Sequence, residues 1–223
     1  MDGTETNVAE YVKLAKKYNA LTYLDEVHAV GLYGKGGRGV AFKNNVSEKV
    51  DIINGTLAKG FGQIGGYIVG NENLIEFIRC FTPGFIFTTS IMPSIAAAAS
   101  ASIDIVEKSD ELRKNIFSKA IYLRMKLKEI NIPFINSNSH IVPLLVYKTE
   151  IAKRFSKKLL EEYNCYVQPI FYPTVPKESA RLRITITPKH SYTDIDNLVI
   201  AIRNIWLKEH KTSLKHKLNS VAI

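Results

Sequence analysis

At 223 residues, 46% of them hydrophobic, the chain is long enough for one or two domains with a buried core. No apolar run approaches the roughly 20 residues of a membrane-spanning helix; the nearest, Ile95 to Ile103, reads as a short Ala-rich helix, and no repeat or low-complexity segment appears. The formal net charge of +9 suits a lysine-rich solvated surface or attraction to anionic ligands, while two cysteines, Cys80 and Cys165, argue against a disulfide framework and for a reducing, cytoplasmic compartment.

Residues Met1 to Asn19 predict a helix, with Val8, Tyr11, Val12, Leu14, Ala15 and Tyr18 on one face, Lys13, Lys16 and Lys17 off it, and Asn19 as the stop. Two short apolar runs of strand length follow, Ala20 to Leu24 and Val50 to Ile53. The first delivers Asp25 and His28 into a Gly-rich loop, within YLDEVHAVGLYGKGGRGVA from Tyr23 to Ala41. The second delivers Lys59 into another, within DIINGTLAKGFGQIGG from Asp51 to Gly66. Ligands in open α/β sheets sit at the carboxyl ends of strands, so a carboxylate, an imidazole and a lysine could meet there around one small molecule. A lysine that forms a Schiff base with a carbonyl cofactor, partnered by an aspartate on a pyridinium nitrogen, is the arrangement used with pyridoxal 5'-phosphate (PLP). Gly55, Ala58, Gly60 and Gly62 leave room around Lys59, and Thr56 offers a hydroxyl to the cofactor phosphate.

Further along, Asn71 opens a helix through Arg79, and Pro83-Gly84 breaks the chain before FIFTTS. Pro93 starts a helical region running to Ile130, interrupted near Ser109-Asp110. After Pro133 the pattern becomes strand Ile141 to Tyr147, helix Glu150 to Tyr163, strand Cys165 to Ile170, strand Leu182 to Thr187 and a closing amphipathic helix Thr193 to Lys208. Arg183 alternates with Leu182 and Ile184, and an inward arginine is costly unless it binds a carboxylate, ideally by a two-point fork. Arg181, two residues away on the same face, reads as a rim residue. YPTVP, Tyr172 to Pro176, is a proline-stiffened loop, and FTTS, Phe87 to Ser90, fits a capped turn. His140 and His190 fall in loops as structural residues, and no metal-ligand spacing occurs. Lys208, Lys211, Lys215, His216 and Lys217 make the end of the chain basic.

DEVHAVGLYG, INGTLAKGFG, GFIFTTS, SHIVP, YPTVP and RLRITITP, in that order, resemble the carboxyl-terminal half of the 5-aminolevulinate synthases, a branch of the α-oxoamine synthase family of fold type I PLP enzymes. The resemblance runs from Met1 to about Trp206. It implies an α/β chain made of part of a fold type I PLP-binding large domain (1–130), a smaller carboxyl-terminal α/β domain (131–210) and a basic tail (211–223). It implies that Lys59 is the Schiff-base lysine, Asp25 the pyridinium partner and His28 a hydrogen-bond partner of the cofactor's phenolic oxygen. Arg183 would hold the carboxylate of glycine, with Tyr172 and Thr174 in a lid over the substrate. Thr88, and after it Thr89, would reach the cofactor phosphate of a partner subunit. The implied reaction condenses glycine with succinyl-CoA, in a homodimer with shared active sites or with a partner chain supplying the amino-terminal half, and without nucleic acid, membrane or metal. Such a half alone lacks the phosphate-binding turn and the ring-stacking histidine, so little or no activity is expected of it. Glycine C-acetyltransferase, another α-oxoamine synthase, and an inactive remnant are the alternatives. From another class, YLDEVH is similar to the acidic motif of nucleotide hydrolases, but the chain has no phosphate-cradling G-x-x-x-x-G-K-[ST] loop to go with it.

Overall fold

The computed structural model describes the backbone of residues 1–219 and side chains through residue 209. Its packing divides into a first unit, Thr6–Arg113, and a second unit made of Met1–Glu5 with the chain from Lys114 onward.

In the first unit, helix α1 (Val8–Lys17) starts later than its periodicity suggested. Before it, Gly3 takes a left-handed φ of 76° and the Asp2 carboxylate accepts the Thr4 N–H at 2.9 Å, a turn that a helix from Met1 would have to unwind. The stop is where expected: Asn19 adopts φ 50° and the Ala20 N–H reaches back to the Ala15 carbonyl at 2.9 Å, capping the last turn. Strand β1 (Tyr23–Asp25) is followed by the short helix α2 (Val40–Lys43) and strand β2 (Ile52–Thr56). β1 and β2 run parallel, with Tyr23 opposite Ile52 and Asp25 opposite Asn54. A third strand, β3 (Gly66–Gly70), pairs antiparallel to β2 from Ile52↔Gly70 to Thr56↔Gly66, giving the order β1-β2-β3. That strand has no counterpart in the sequence reading, because its three apolar residues lie between glycines that read as loop.

Asn71 caps α3 (Glu72–Phe81) by accepting the Asn73 N–H at 3.0 Å. Pro83 does not simply break the chain; it occupies the first turn of the short α4 (Pro83–Ile86). α5 (Pro93–Glu107) and α6 (Asp110–Glu129) are separated where the break near Ser109 was expected. The buried Arg113 closes α5, its guanidinium donating to the Val106 and Glu107 carbonyls and pairing with Asp110. Every residue from 79 to 94 is exposed, including Phe81, Phe85, Ile86 and Phe87.

In the second unit, β4 (Ile141–Tyr147), α7 (Thr149–Tyr163), β5 (Gln168–Ile170), β6 (Ala180–Thr185) and α8 (Tyr192–Asn219) build an antiparallel sheet of order β4-β6-β5 with helices against it. Leu144 and Leu182 from the sheet pack with Phe155 and Leu159 of α7, Ile202 and Ile205 of α8, and Leu123 and Leu127 of α6. Because Ala120, Leu123 and Leu127 belong to this core, α6 from Lys114 onward groups with the second unit, on the other side of the boundary expected between Glu129 and Pro133. His140 is buried edge-on to Phe117, and the exposed His190 accepts the Thr187 N–H on Nδ1 at 3.1 Å. α8 continues past Lys208 into the segment read as a basic tail, whose side chains lie outside the described residues.

Candidate active site

β1 and β2 are parallel neighbours, so the loops that follow them leave the same end of the sheet. Asp25 is the last residue of β1, exposed, with its carboxylate accepting the Val27 N–H at 2.9 Å. His28 is exposed one turn further on. Thr56 ends β2; its hydroxyl donates to the Gly65 carbonyl at 3.2 Å and accepts the Ala58 N–H at 3.1 Å, closing the loop that carries Lys59. Lys59 is exposed, and a Cβ placed on Gly62 would meet nothing within 4 Å. An amine, a carboxylate and an imidazole therefore leave the same end of the sheet, and the first two are the groups that PLP chemistry pairs with the aldehyde and the ring nitrogen.

The two loops are locked by backbone contact. A Cβ on Gly60 would stand 2.9 Å from the Val30 carbonyl oxygen and 3.4 Å from the Gly31 Cα, so only a glycine lets the Lys59 loop close on the first loop. On its other side the Ser102 hydroxyl of α5 donates to the Phe61 carbonyl at 2.8 Å. A cleft of about 490 Å³ opens beside these loops, lined by Val30, Gly37, Leu57, Phe61, Tyr67 and Val106.

Glu26, next to Asp25, is a residue the sequence reading passed over. It is 1% exposed, and its two carboxylate oxygens accept the Val40 and Ala41 N–H groups at 2.7 Å each. Gly39 sits at φ 101°, where a Cβ would stand 2.3 Å from the Glu26 Oε2. Burial raises the Glu26 carboxyl above its usual range, opposed by the Ala41 and Val40 amides. The Tyr67 ring lies across Gly55 on the neighbouring strand, and burial, then the Glu26 charge, push its phenol up. No local pattern announces this carboxylate, since its partners are 14 and 15 residues away.

Thr88 and Thr89 lie in the exposed stretch after α4, where the Thr88 hydroxyl donates to the Gly84 carbonyl at 2.6 Å and so finishes that turn. The second unit carries the remaining residues. Arg183, read as inward, is half-buried, while its neighbours Leu182 and Ile184 are the buried residues. It borders a cleft of about 590 Å³ with Tyr163, Tyr166, Thr185, His190 and Asp194, and burial holds its guanidinium below the usual arginine range. Arg181 is the more deeply buried of the pair at 8% exposure, its Nε donating to the Ser179 carbonyl at 3.0 Å; it braces a turn where a rim residue was expected. Tyr172 and Thr174 are exposed on a loop pinned by the buried Val175.

A parallel strand pair, the first strand ending in an aspartate and the second leading into a lysine-bearing Gly-rich loop, followed by a small α/β unit, is an arrangement of the kind found in PLP-dependent transferases. The chain belongs to the aminotransferase class I and II family, whose profile matches residues 1–202. It is 48% identical over 206 residues to the 5-aminolevulinate synthase of Rhizobium meliloti (strain 1021), covering 92% of this chain and 51% of that protein. Identity to the 5-aminolevulinate synthase of Rickettsia conorii (strain ATCC VR-613 / Malish 7) is 47%, over 92% of this chain and 50% of the other. Among solved structures, a serine palmitoyltransferase variant from S. paucimobilis with a bound PLP–myriocin aldimine superposes with a TM-score of 0.86 at 29% identity, over 92% of this chain and 52% of that one. The fold is that of a fold type I PLP-dependent transferase, in part. The chain spans about half the length of the curated relatives it matches.

Proposed function

We propose that the chain carries the lysine-bearing part of a PLP-dependent 5-aminolevulinate synthase, with the first unit coming from the large domain and the second, from Lys114 onward, forming the small one. The observation that carries this reading is the 48% identity to the Rhizobium meliloti enzyme over 92% of the chain. Bound PLP supplies the electron sink that makes the glycine Cα acidic. Lys59 would hold the cofactor and, as a free amine, would accept the glycine Cα proton on Nζ. Asp25 would keep the pyridine nitrogen protonated, and His28 would donate to the phenolic oxygen. Arg183 grips the glycine carboxylate through its fork, its desolvated setting strengthening that bond. The reaction joins the glycine Cα to the succinyl carbonyl and releases coenzyme A and carbon dioxide.

Thr56 would serve the cofactor phosphate by turning its hydroxyl from the Gly65 carbonyl, joined across a dimer interface by Thr88, whose hydroxyl would leave the Gly84 carbonyl, or by Thr89; the exposed aromatic side chains of residues 79–94 support an interface there. Tyr172 and Thr174 belong to the loop that closes on substrate. Free thiols at Cys80 and Cys165 support a reducing, cytoplasmic setting. Another α-oxoamine synthase is the second reading, favoured by the backbone match to serine palmitoyltransferase but at 29% identity rather than 48%. The test is to co-express the chain with the amino-terminal half of the Rhizobium meliloti relative, incubate the complex with PLP, fix the adduct with borohydride and map the added mass. Lys59 should be labelled selectively, and the label should vanish in Lys59→Ala; equal labelling of lysines across the surface would refute the assignment.

A further inference from the structure

We propose that Glu26 is a positioning residue whose buried carboxylate, clamped on the Val40 and Ala41 amides, sets the Lys59 loop at its distance from Asp25. The proposal rests on the assignment of Lys59 and Asp25 to the cofactor. The support runs through successive contacts. Glu26 is anchored to the sheet, its N–H donating to the Asn54 carbonyl of β2 at 2.8 Å. Its two oxygens then draw the start of α2 back over the end of β1, across thirteen intervening residues. The loop so closed is braced internally, by Gly31 N–H to the Gly37 carbonyl at 2.7 Å and Gly39 N–H to the Tyr33 carbonyl at 2.8 Å. The outer wall of that loop, Val30 and Gly31, is the surface on which Gly60 rests. Lys59 therefore inherits its place from a carboxylate that need not touch any ligand.

The geometry also explains why glutamate is the residue there. An ionised carboxylate accepts two amides at once, whereas a glutamine offers one oxygen and turns an N–H₂ toward the second amide. An aspartate keeps the charge but is one methylene shorter. A buried amide left without an acceptor is expensive, so the start of α2 would shift rather than stay and go unpaired. A shift there is passed to Gly60 through backbone atoms, which have no rotamer with which to absorb it.

The experiment, run on the chain completed by the same amino-terminal half, compares wild type with Glu26→Gln and, as an independent disturbance of the same clamp, Gly39→Ala, whose Cβ would be driven into the Glu26 Oε2. Hydrogen exchange is read residue by residue, and borohydride-fixed PLP on the Lys59 peptide is quantified alongside. Both variants should exchange faster at Val40–Lys43 and at 59–62, with β4 and β6 unchanged. Selective labelling of Lys59 should fall at least about tenfold, the loss typical of one hydrogen bond to a charged group. Faster exchange confined to Val40–Lys43 with Lys59 labelling within twofold of wild type, taking ~2 as the spread of such measurements, would reduce Glu26 to a helix brace and overturn the proposal. Loss of exchange protection throughout the first unit in both variants would overturn it too, since Glu26 would then be needed to fold rather than to position. Absence of selective labelling in the wild-type chain would instead refute the assignment of Lys59, a result distinct from either of these.

Discussion

Gly60→Ala tests the contact between the two loops without touching any polar group. Gly60 does not occupy the left-handed region, so the alanine is conformationally allowed and by itself would stabilise by about 0.4–1 kcal/mol through the unfolded chain. Its Cβ, however, would stand 2.9 Å from the Val30 carbonyl oxygen, a backbone atom, and ordinary contact requires the loops to part by about half an ångström. Overpacking of this kind costs roughly 1–3 kcal/mol, so the net loss is roughly 0–2.5 kcal/mol. A melting temperature lower by a few degrees is the expected stability result. The functional result should be larger in proportion, because a displacement on the order of 0.5 Å moves the Lys59 amine, and losses of about tenfold are typical of such misplacement. Thermal denaturation and borohydride-fixed PLP on the Lys59 peptide measure the two effects on one sample. A Gly60→Ala chain that melts higher than wild type and labels Lys59 as well would refute the locking of the two loops.

In an enzyme completed with the amino-terminal half of a relative, Arg183→Lys should raise the KM for glycine by about tenfold or more, because a single ammonium cannot replace the two-point fork; steady-state kinetics against glycine will show it. Leu159→Ala, at a site with no exposure in the core of the second unit, should cost about 2–5 kcal/mol, measured by denaturant unfolding. At the start of α8 the Asp194 carboxyl is held below the ordinary aspartate range by the Ser191 N–H at 2.7 Å and hydroxyl at 2.8 Å. A lowered folded value means stability present above the unfolded aspartate value and lost as pH falls through the folded one. The melting-temperature gap between wild type and Ser191→Ala should therefore be widest near neutral pH and shrink on acidification below about pH 4; a gap independent of pH would contradict it.

What was legible in the sequence was what local chemistry writes there. Asn71 and Asn19 announced a helix start and a helix stop, and the alternation around Arg183 set it on the face opposite Leu182 and Ile184. Asp25 and Lys59 stood out because chemically loaded residues followed apolar runs at strand ends. The rest depended on partners distant along the chain. β3 became a strand only by pairing with β2, since glycines bound it on both sides. Helix α6 joined the second unit because Leu123 and Leu127 found that core, a fact about packing rather than about period. Arg181 turned inward at a strand start to meet the Ser179 carbonyl, and Glu26 looked like half of an acidic pair until the fold placed two amides against it.

The most direct measurement is product identity. The chain would be co-expressed with the amino-terminal half of the Rhizobium meliloti relative and supplied with PLP, glycine and, in parallel, succinyl-, acetyl- and palmitoyl-CoA. The account predicts 5-aminolevulinate with succinyl-CoA, little product from the other thioesters, and none with Lys59→Ala. Equal product from Lys59→Ala, or an acetyl or palmitoyl product in place of 5-aminolevulinate, would contradict it.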